Sequence, residues 1–183
     1  LQEALQENGD TNFRGLADRI KEICKYLKKP VIVKEVGWGI SKNCAKMLGD
    51  SGVYAIDVAG AGGTSWSQVE LFRMGRSLKR DVATPFANWG ISTLESIRNT
   101  REMAPGVRII ASGGLRNGLD IAKCIALGAI IGGMTKPFLT QAIRSKKQVS
   151  ETIVTIGTQI RICMFSCGAV TLPALKMKYT EKQ

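Results

Sequence analysis

Three times along this chain an apolar run stops at a cluster of glycines and gives way to a stretch of helical period. The three places are Val33-Lys-Glu-Val-Gly-Trp-Gly39, Val58-Ala-Gly-Ala-Gly-Gly-Thr-Ser-Trp66 and Val107-Arg-Ile-Ile-Ala-Ser-Gly-Gly-Leu-Arg-Asn-Gly118. A strand that ends this way turns backbone N–H groups toward a helix N-terminus, and glycine removes the Cβ that would hold an anion away. Strands that each return through a helix must run parallel, because the crossover brings the chain back to the edge from which it left.

Four β-rich runs carry the pattern: Pro30 to Lys34, Tyr54 to Val58, Val107 to Ser112 and Ala129 to Met134. Each is nearly continuous in apolar residues, which predicts strands covered on both faces. Helical spacing of Phe13, Leu16, Ile20, Ile23, Cys24 and Leu27 predicts a helix within residues 12–29, ahead of the first strand. Ser41 is placed to cap a helix reaching Asp50, and Ser92 or Thr93 to cap one reaching Glu102 before Pro105-Gly106. Asn117 or Gly118 opens a further helix that closes at Gly128. After the fourth strand, Pro137 to Arg144 and Val149 to Cys167 read as helices, with Gly157 weakening the second.

The predicted order is a helix, then βα four times, within one partial domain over residues 1–183. Such a series is either half of an eight-stranded barrel or a small doubly wound sheet. The long stretch from Ser65 to Trp89, with Gly75 and Pro85, reads as a partly helical loop after the second strand. Barrel enzymes build their sites from such loops, which favours the barrel.

Composition removes several function classes. There is no histidine, so no Ser-His-Asp or Cys-His arrangement can form, and any acid or base is a carboxylate, a lysine, a tyrosine or a bound cofactor. Five cysteines, odd in number and widely spaced, read as reduced core thiols. Cys163 and Cys167 lie four apart on a predicted helix without the further ligands that a zinc set needs. The net charge of +11 is spread over Lys25 to Lys29, Arg73 to Arg80, Arg144 to Lys147 and Lys176 to Lys182. Few aromatics interleave, so a basic surface or a site for a phosphorylated small molecule is expected rather than nucleic acid. No run nears the roughly 20 apolar residues that span a bilayer, and the opening residues lack the layout of a signal peptide. A cytoplasmic chain is expected, with no membrane partner.

Lys34 closes the first apolar run, which places its ammonium at the mouth of the sheet. Gly60, Gly62 and Gly63 allow a tight turn and Thr64 adds a hydroxyl. Arg116 follows Gly113-Gly114, and its fork can hold a phosphate through two bonds. Gly132-Gly133-Met134-Thr135 would lie beside that loop. Gln2 and Glu3, read alone, are a frayed helix start.

Taken in order, these segments resemble one family: Gln2-Glu3, Pro30 to Ser41, Asp57 to Trp66, Trp89-Gly90-Ile91, Ala111 to Asp120, Ala126 to Ala129 and Arg161 to Ala169. The chain is similar to the type 2, FMN-dependent isopentenyl-diphosphate isomerases. That resemblance implies the C-terminal half of a (β/α)8 TIM barrel, with four parallel βα units preceded and followed by helices. It implies the interconversion of isopentenyl and dimethylallyl diphosphate, with reduced FMN as acid–base partner, NADPH as reductant and Mg2+ against the diphosphate. By position, Gln2 matches the catalytic, substrate-contacting glutamine and Glu3 the Mg2+ ligand. Lys34, Ala59 and Thr64 match FMN contacts, and Gly114, Leu115 and Arg116 match the loop receiving the FMN phosphate. Thr135 and Lys136 match a neighbouring backbone contact to that phosphate, where the family usually shows Ala-Leu, and Ala59 falls where some members carry Ser.

The same resemblance implies a homo-oligomer for the full-length protein. It also places four strands and a His-x-Asn upstream of Gln2-Glu3, so the 183 residues are expected to lack turnover alone. The alternatives are a non-catalytic phosphate- or FMN-binding half-barrel, able to pair with itself, and a different FMN-dependent TIM-barrel oxidoreductase. Barrels that oxidise hydroxy acids, and nucleotide dehydrogenases on similar barrels, share the Ser-Gly-Gly device, but their catalytic His or Cys loop has no counterpart here. No glycine junction fits the Rossmann pattern.

Overall fold

The structure, a computed structural model, describes residues 1–6, 8–73 and 78–180. In chain order the elements are α1 (Gln2–Leu5), α2 (Leu16–Tyr26), β1 (Ile32–Lys34), α3 (Lys42–Asp50), β2 (Ala55–Asp57), α4 (Trp66–Arg73) and α5 (Leu78–Ala83). A 3-10 turn (Thr84–Phe86) leads to α6 (Thr93–Met103), β3 (Arg108–Ala111), α7 (Gly118–Leu127), β4 (Ile131–Gly132), α8 (Lys136–Ala142), α9 (Lys146–Ser166) and α10 (Leu172–Thr180).

The four strands form one parallel sheet in the order β1-β2-β3-β4. Sequential order without reversal separates the two architectures left open by the sequence: a doubly wound sheet reverses at a switch point, whereas a barrel adds each strand beside the last. Each strand is shorter than its apolar run.

The register assigns side chains to two faces. Val33 pairs with Ile56 and Ile56 with Ile109, while Ala111 pairs with Gly132, so these residues share one face. That face carries the helices, and Ile56 (0% exposed), Ile109 (3%) and Ala111 (0%) enter a core with Leu48, Ile97, Cys124 and Ile125. The other face holds Ile32, Lys34, Ala55, Asp57, Arg108, Ile110 and Ile131. It differs from the expectation of strands covered on both sides: Ile32 is 52% exposed and Ile131 54%, although Ala55 between them is buried. Near-continuous apolar strands report that both faces are built to be covered, but within the described residues only one layer of helices is present to do so.

The helix boundaries follow the caps. Ser41, Ser92 and Asn117 each accept the backbone N–H three residues on, at 3.2, 3.2 and 2.9 Å, as read from the sequence. Ser145 does the same for α9 through the N–H of Gln148, and that helix runs unbroken through Gly157. The helix expected within residues 12–29 is shorter, because Gly15 takes a positive φ of 73° and Phe13 lies outside it, 59% exposed. The stretch after the second strand is more helical than a loop, with α4, α5 and the 3-10 turn. Gly75, named as part of that loop, lies outside the described residues. Helix α10 packs against α7 and overlaps the basic stretch that starts at Lys176, where no helix is expected from the sequence.

Candidate functional site

The C-terminal ends of β1, β2 and β3 meet at one carboxylate. Asp57, the last residue of β2, accepts from Ser112 Oγ through Oδ1 at 2.6 Å and faces Lys34 Nζ through Oδ2 at 3.4 Å. Its Oδ1 also receives the backbone N–H of Ala59 at 3.3 Å. The Asp57 side chain is only 13% exposed and that of Lys34 55%, so a nearly buried acid holds a lysine that still reaches solvent. Lys34 also donates to the carbonyl of Glu35 at 3.1 Å. The Glu35 carboxylate faces elsewhere: its Oε2 accepts the N–H groups of Val36, Gly37 and Trp38 at 2.6, 2.8 and 2.7 Å and shapes the turn after β1.

The glycine loops after β2 and β3 lie against each other, backbone to backbone. A Cβ on Gly113 (φ 99°) would run into the backbone of Gly60, and one on Gly114 (φ 80°) into that of Gly62. The glycines at these positions are required first by the approach of two main chains. Thr93 Oγ1, in the first turn of α6, donates to the carbonyls of Ser112 and Gly113 at 3.1 and 2.6 Å. Ala59 carries a φ of 31°, a rare conformation for a residue with a Cβ, of the kind that costs on the order of 1–3 kcal/mol and recurs at functional turns. On the other side, Gly133 donates to the carbonyl of Ala111 at 2.7 Å, fastening the end of β4 to β3.

The structure therefore gathers Lys34, Ala59, Gly114 and the loop leading to Arg116 at neighbouring strand ends. Arg116 and Thr64 are exposed, and Leu115 is buried, so Leu115 can offer only its backbone to a ligand. The N–H of Arg116 is held by Asp120 at 3.0 Å, and that of Gly118 by Gln159 at 2.7 Å. Thr135 and Lys136 begin α8, beyond the end of β4; the Thr135 side chain makes no capping bond. Arg116 and Pro137 border an open cleft of about 330 Å3 that also reaches Arg144 and Gln148.

Gln2 and Glu3 lie on α1. Their helix, α1, packs mainly on α4, where Gln6 Nε2 donates to the buried Glu70 at 3.1 Å. Glu3 Oε2 accepts the N–H of Asp10 at 2.9 Å. Among the described residues no three His, Cys, Asp or Glu side chains converge as a metal cage. A lone carboxylate still suits Mg2+, which commonly takes one or two carboxylates and completes its shell with water and phosphate oxygens.

Two thiols are held in the neutral form. Burial, with the Glu35 carboxylate adding to it, pushes Cys44 up. Burial, aided by Asp120, pushes Cys124 up to about 11. Cys163 is half-buried and Cys167 exposed, both free. Two functional candidates went unread in the sequence: Asp57 and Ser112 are separated by 55 positions and become neighbours only through the β2–β3 pairing. Their signal was positional, since both sit where an apolar strand meets glycine.

A family model described as FMN-dependent dehydrogenase matches residues 3–182. The chain belongs to that family. Within it, the chain is 49% identical over 176 residues to an isopentenyl-diphosphate delta-isomerase of Rickettsia bellii (strain RML369-C), covering 96% of this chain and 52% of that protein. A Nostoc sp. (strain PCC 7120 / SAG 25.82 / UTEX 2576) protein of the same name is 48% identical over 176 residues, covering 96% and 50%. The chain thus spans about half the length of the curated relatives it matches.

This member of the FMN-dependent dehydrogenase family also resembles solved mandelate oxidases. One with benzoyl-formic acid gives a TM-score of 0.64 at 18% identity, over 87% of this chain and 41% of that one. Another, with the monooxide FMN adduct, gives 0.63 at 18%, over 87% and 44%. At that identity the likeness speaks for the fold, and the four βα units are those of a (β/α)8 TIM barrel. No helix among the described residues is long and apolar enough to cross a membrane.

Proposed function

We propose that this chain is the FMN-holding second half of a (β/α)8 isomerase that interconverts isopentenyl and dimethylallyl diphosphate. The observation that carries the reading is the convergence of Lys34, the Ala59–Thr64 loop and the Gly114–Arg116 loop on consecutive strand ends, in a chain 49% identical to curated isopentenyl-diphosphate delta-isomerases. The residues fit the cofactor: a lysine at the mouth, an exposed threonine hydroxyl, and an exposed arginine beside a glycine-rich turn. FMN, reduced at the expense of NADPH, would supply the proton-exchanging group that a histidine-free chain lacks. Lys34 would face the flavin ring. Gly114, Leu115 and Arg116, with Thr135 and Lys136, would bind the phosphate. Gln2 would orient the alkene, and Glu3 would hold Mg2+ against the diphosphate, giving up its contact with Asp10.

On this reading residues 1–183 form one partial domain, and the open inner face of the sheet is the interior of the barrel. The substrate is a small-molecule diphosphate, with no nucleic-acid or membrane partner, and the complete protein is a homo-oligomer. Free cysteines packed largely as small hydrophobes suit a reducing cytoplasm.

Titration of the chain with FMN and with riboflavin tests the phosphate loop. Arg116→Ala is expected to weaken FMN about tenfold, the loss of a charge-assisted contact, and to leave riboflavin unchanged. Equal losses for both ligands would remove the phosphate role. Joining the chain to the part of the Rickettsia bellii relative that it does not cover should give isomerase activity with FMN, NADPH and Mg2+. A folded, FMN-loaded chimera without turnover counts against the isomerase reading.

A further inference from the structure

We propose that Asp57 is a positioning residue for Lys34, holding its ammonium at the mouth of the sheet where the FMN reading places the flavin; the inference rests on that reading. Three strand ends converge on this one carboxylate, through Lys34 from β1, Ala59 from the β2 loop and Ser112 from β3. A largely buried carboxylate is retained only when partners compensate its lost hydration. The partners are unequal in what they require. Ser112 Oγ–H and Ala59 N–H need an acceptor oxygen, which an amide would supply equally well. Only Lys34 needs the negative charge.

Glu35, the acid beside Lys34 in sequence, cannot substitute. Its Oε2 is directed at the N–H groups of residues 36–38, and Lys34 reaches only its carbonyl. The flexible four-carbon stem of Lys34, 55% exposed, would otherwise sample solvent. Asp57 restricts it to the strand end, and the 2.6 Å bond from Ser112 fixes the carboxylate in turn.

Asp57→Asn keeps both acceptor functions and removes the charge, so the loops should stay in place while Lys34 is released. Acetylation of Lys34 in the cofactor-free chain, followed by peptide mapping, is expected to run about two- to fivefold faster in Asp57→Asn, the range of a partly exposed ion pair. Ser112→Ala loosens the carboxylate but leaves its charge in place, so the increase there should be smaller than in Asp57→Asn. Equal rates in wild type and Asp57→Asn would overturn the proposal, and this arm needs no cofactor. In FMN titrations, Asp57→Asn should weaken binding about two- to fivefold in the native background, no more than the ion pair itself supplies, and have no effect in a Lys34→Met background. Losses that add independently would show Asp57 acting on its own, and would also overturn it. If wild type fails to bind FMN, the functional reading fails, and the acetylation rates still decide whether Asp57 holds Lys34. Asp57→Glu should restore part of the FMN affinity, which a purely steric role for position 57 does not predict.

Discussion

The two faces of the sheet are built from the same four strands and behave as different materials. Toward the helices, Ile56, Ile109 and Ala111 are 0–3% exposed and join one continuous core with α3, α6 and α7. Toward the barrel interior, Ile32 and Ile131 remain more than half exposed. The difference shows what a βα unit supplies locally. Each crossover helix packs on its own strands, so the outer layer is completed within the chain. The inner layer needs side chains from strands on the far side of a barrel, and four strands offer only half of them.

The largest expected effect lies on the outer face. Ile56→Ala should cost about 2–5 kcal/mol in urea unfolding, because it opens a cavity that close-packed helices cannot fill. A loss under 1 kcal/mol would mean that the outer layer is looser than its burial implies.

The second test uses pH on the same layer. Cys124 is completely buried, and its thiol is pushed up to about 11 from an ordinary value of 9.0, by burial first and Asp120 second. The neutral thiol is favoured in the folded state. Stability is therefore unaffected below pH 9, where folded and unfolded chains are both protonated. It falls between about pH 9 and 11, where only the unfolded chain has lost the proton. The loss is on the order of 2–3 kcal/mol. Cys124→Ala should remove that component, so the difference between the two chains' pH profiles is the measurement.

At the rim where the two faces meet, Gly113→Ala should cost about 1–3 kcal/mol in thermal unfolding, since a φ of 99° and the backbone of Gly60 both oppose a Cβ. The smallest effect is expected inside. Ile131→Ala should change stability by under about 0.5 kcal/mol, as for an exposed position. In the chimera with the Rickettsia bellii segment it should cost several times more, and an equal small cost in both would deny that this face becomes a barrel interior.

Much of the fold was legible because its determinants are local. Ser41, Ser92 and Asn117 cap the helices that follow them, and a cap needs only the next three residues. Glycine after an apolar run located the strand ends that hold Lys34 and Gly114. Strand lengths and helix α10 were not legible in this way, because pairing and packing set them. The apolar character of the strands misled in one respect: it reports the environment of a complete barrel, whereas these residues alone leave one face open.

The candidate site divides along the same line. Lys34, Thr64 and Arg116 could be picked out by residue type beside a turn. Asp57 carried only a positional signal, an acid where an apolar strand meets glycine, and its partners are set only when β1 and β3 arrive on either side of it. The reason for the glycines also changed, from room for an anion to the contact of two main chains at Gly60–Gly113 and Gly62–Gly114.

By itself the sequence determined the periodicities, the caps and the places where strands turn into glycine loops, because these depend on backbone conformation within a few residues. Only the tertiary structure decided the sequential strand order, the open inner face and the meeting of Lys34, Asp57 and Ser112. Those depend on contacts between residues far apart in sequence, 55 positions for Asp57 and Ser112, which parallel pairing creates and no local pattern records.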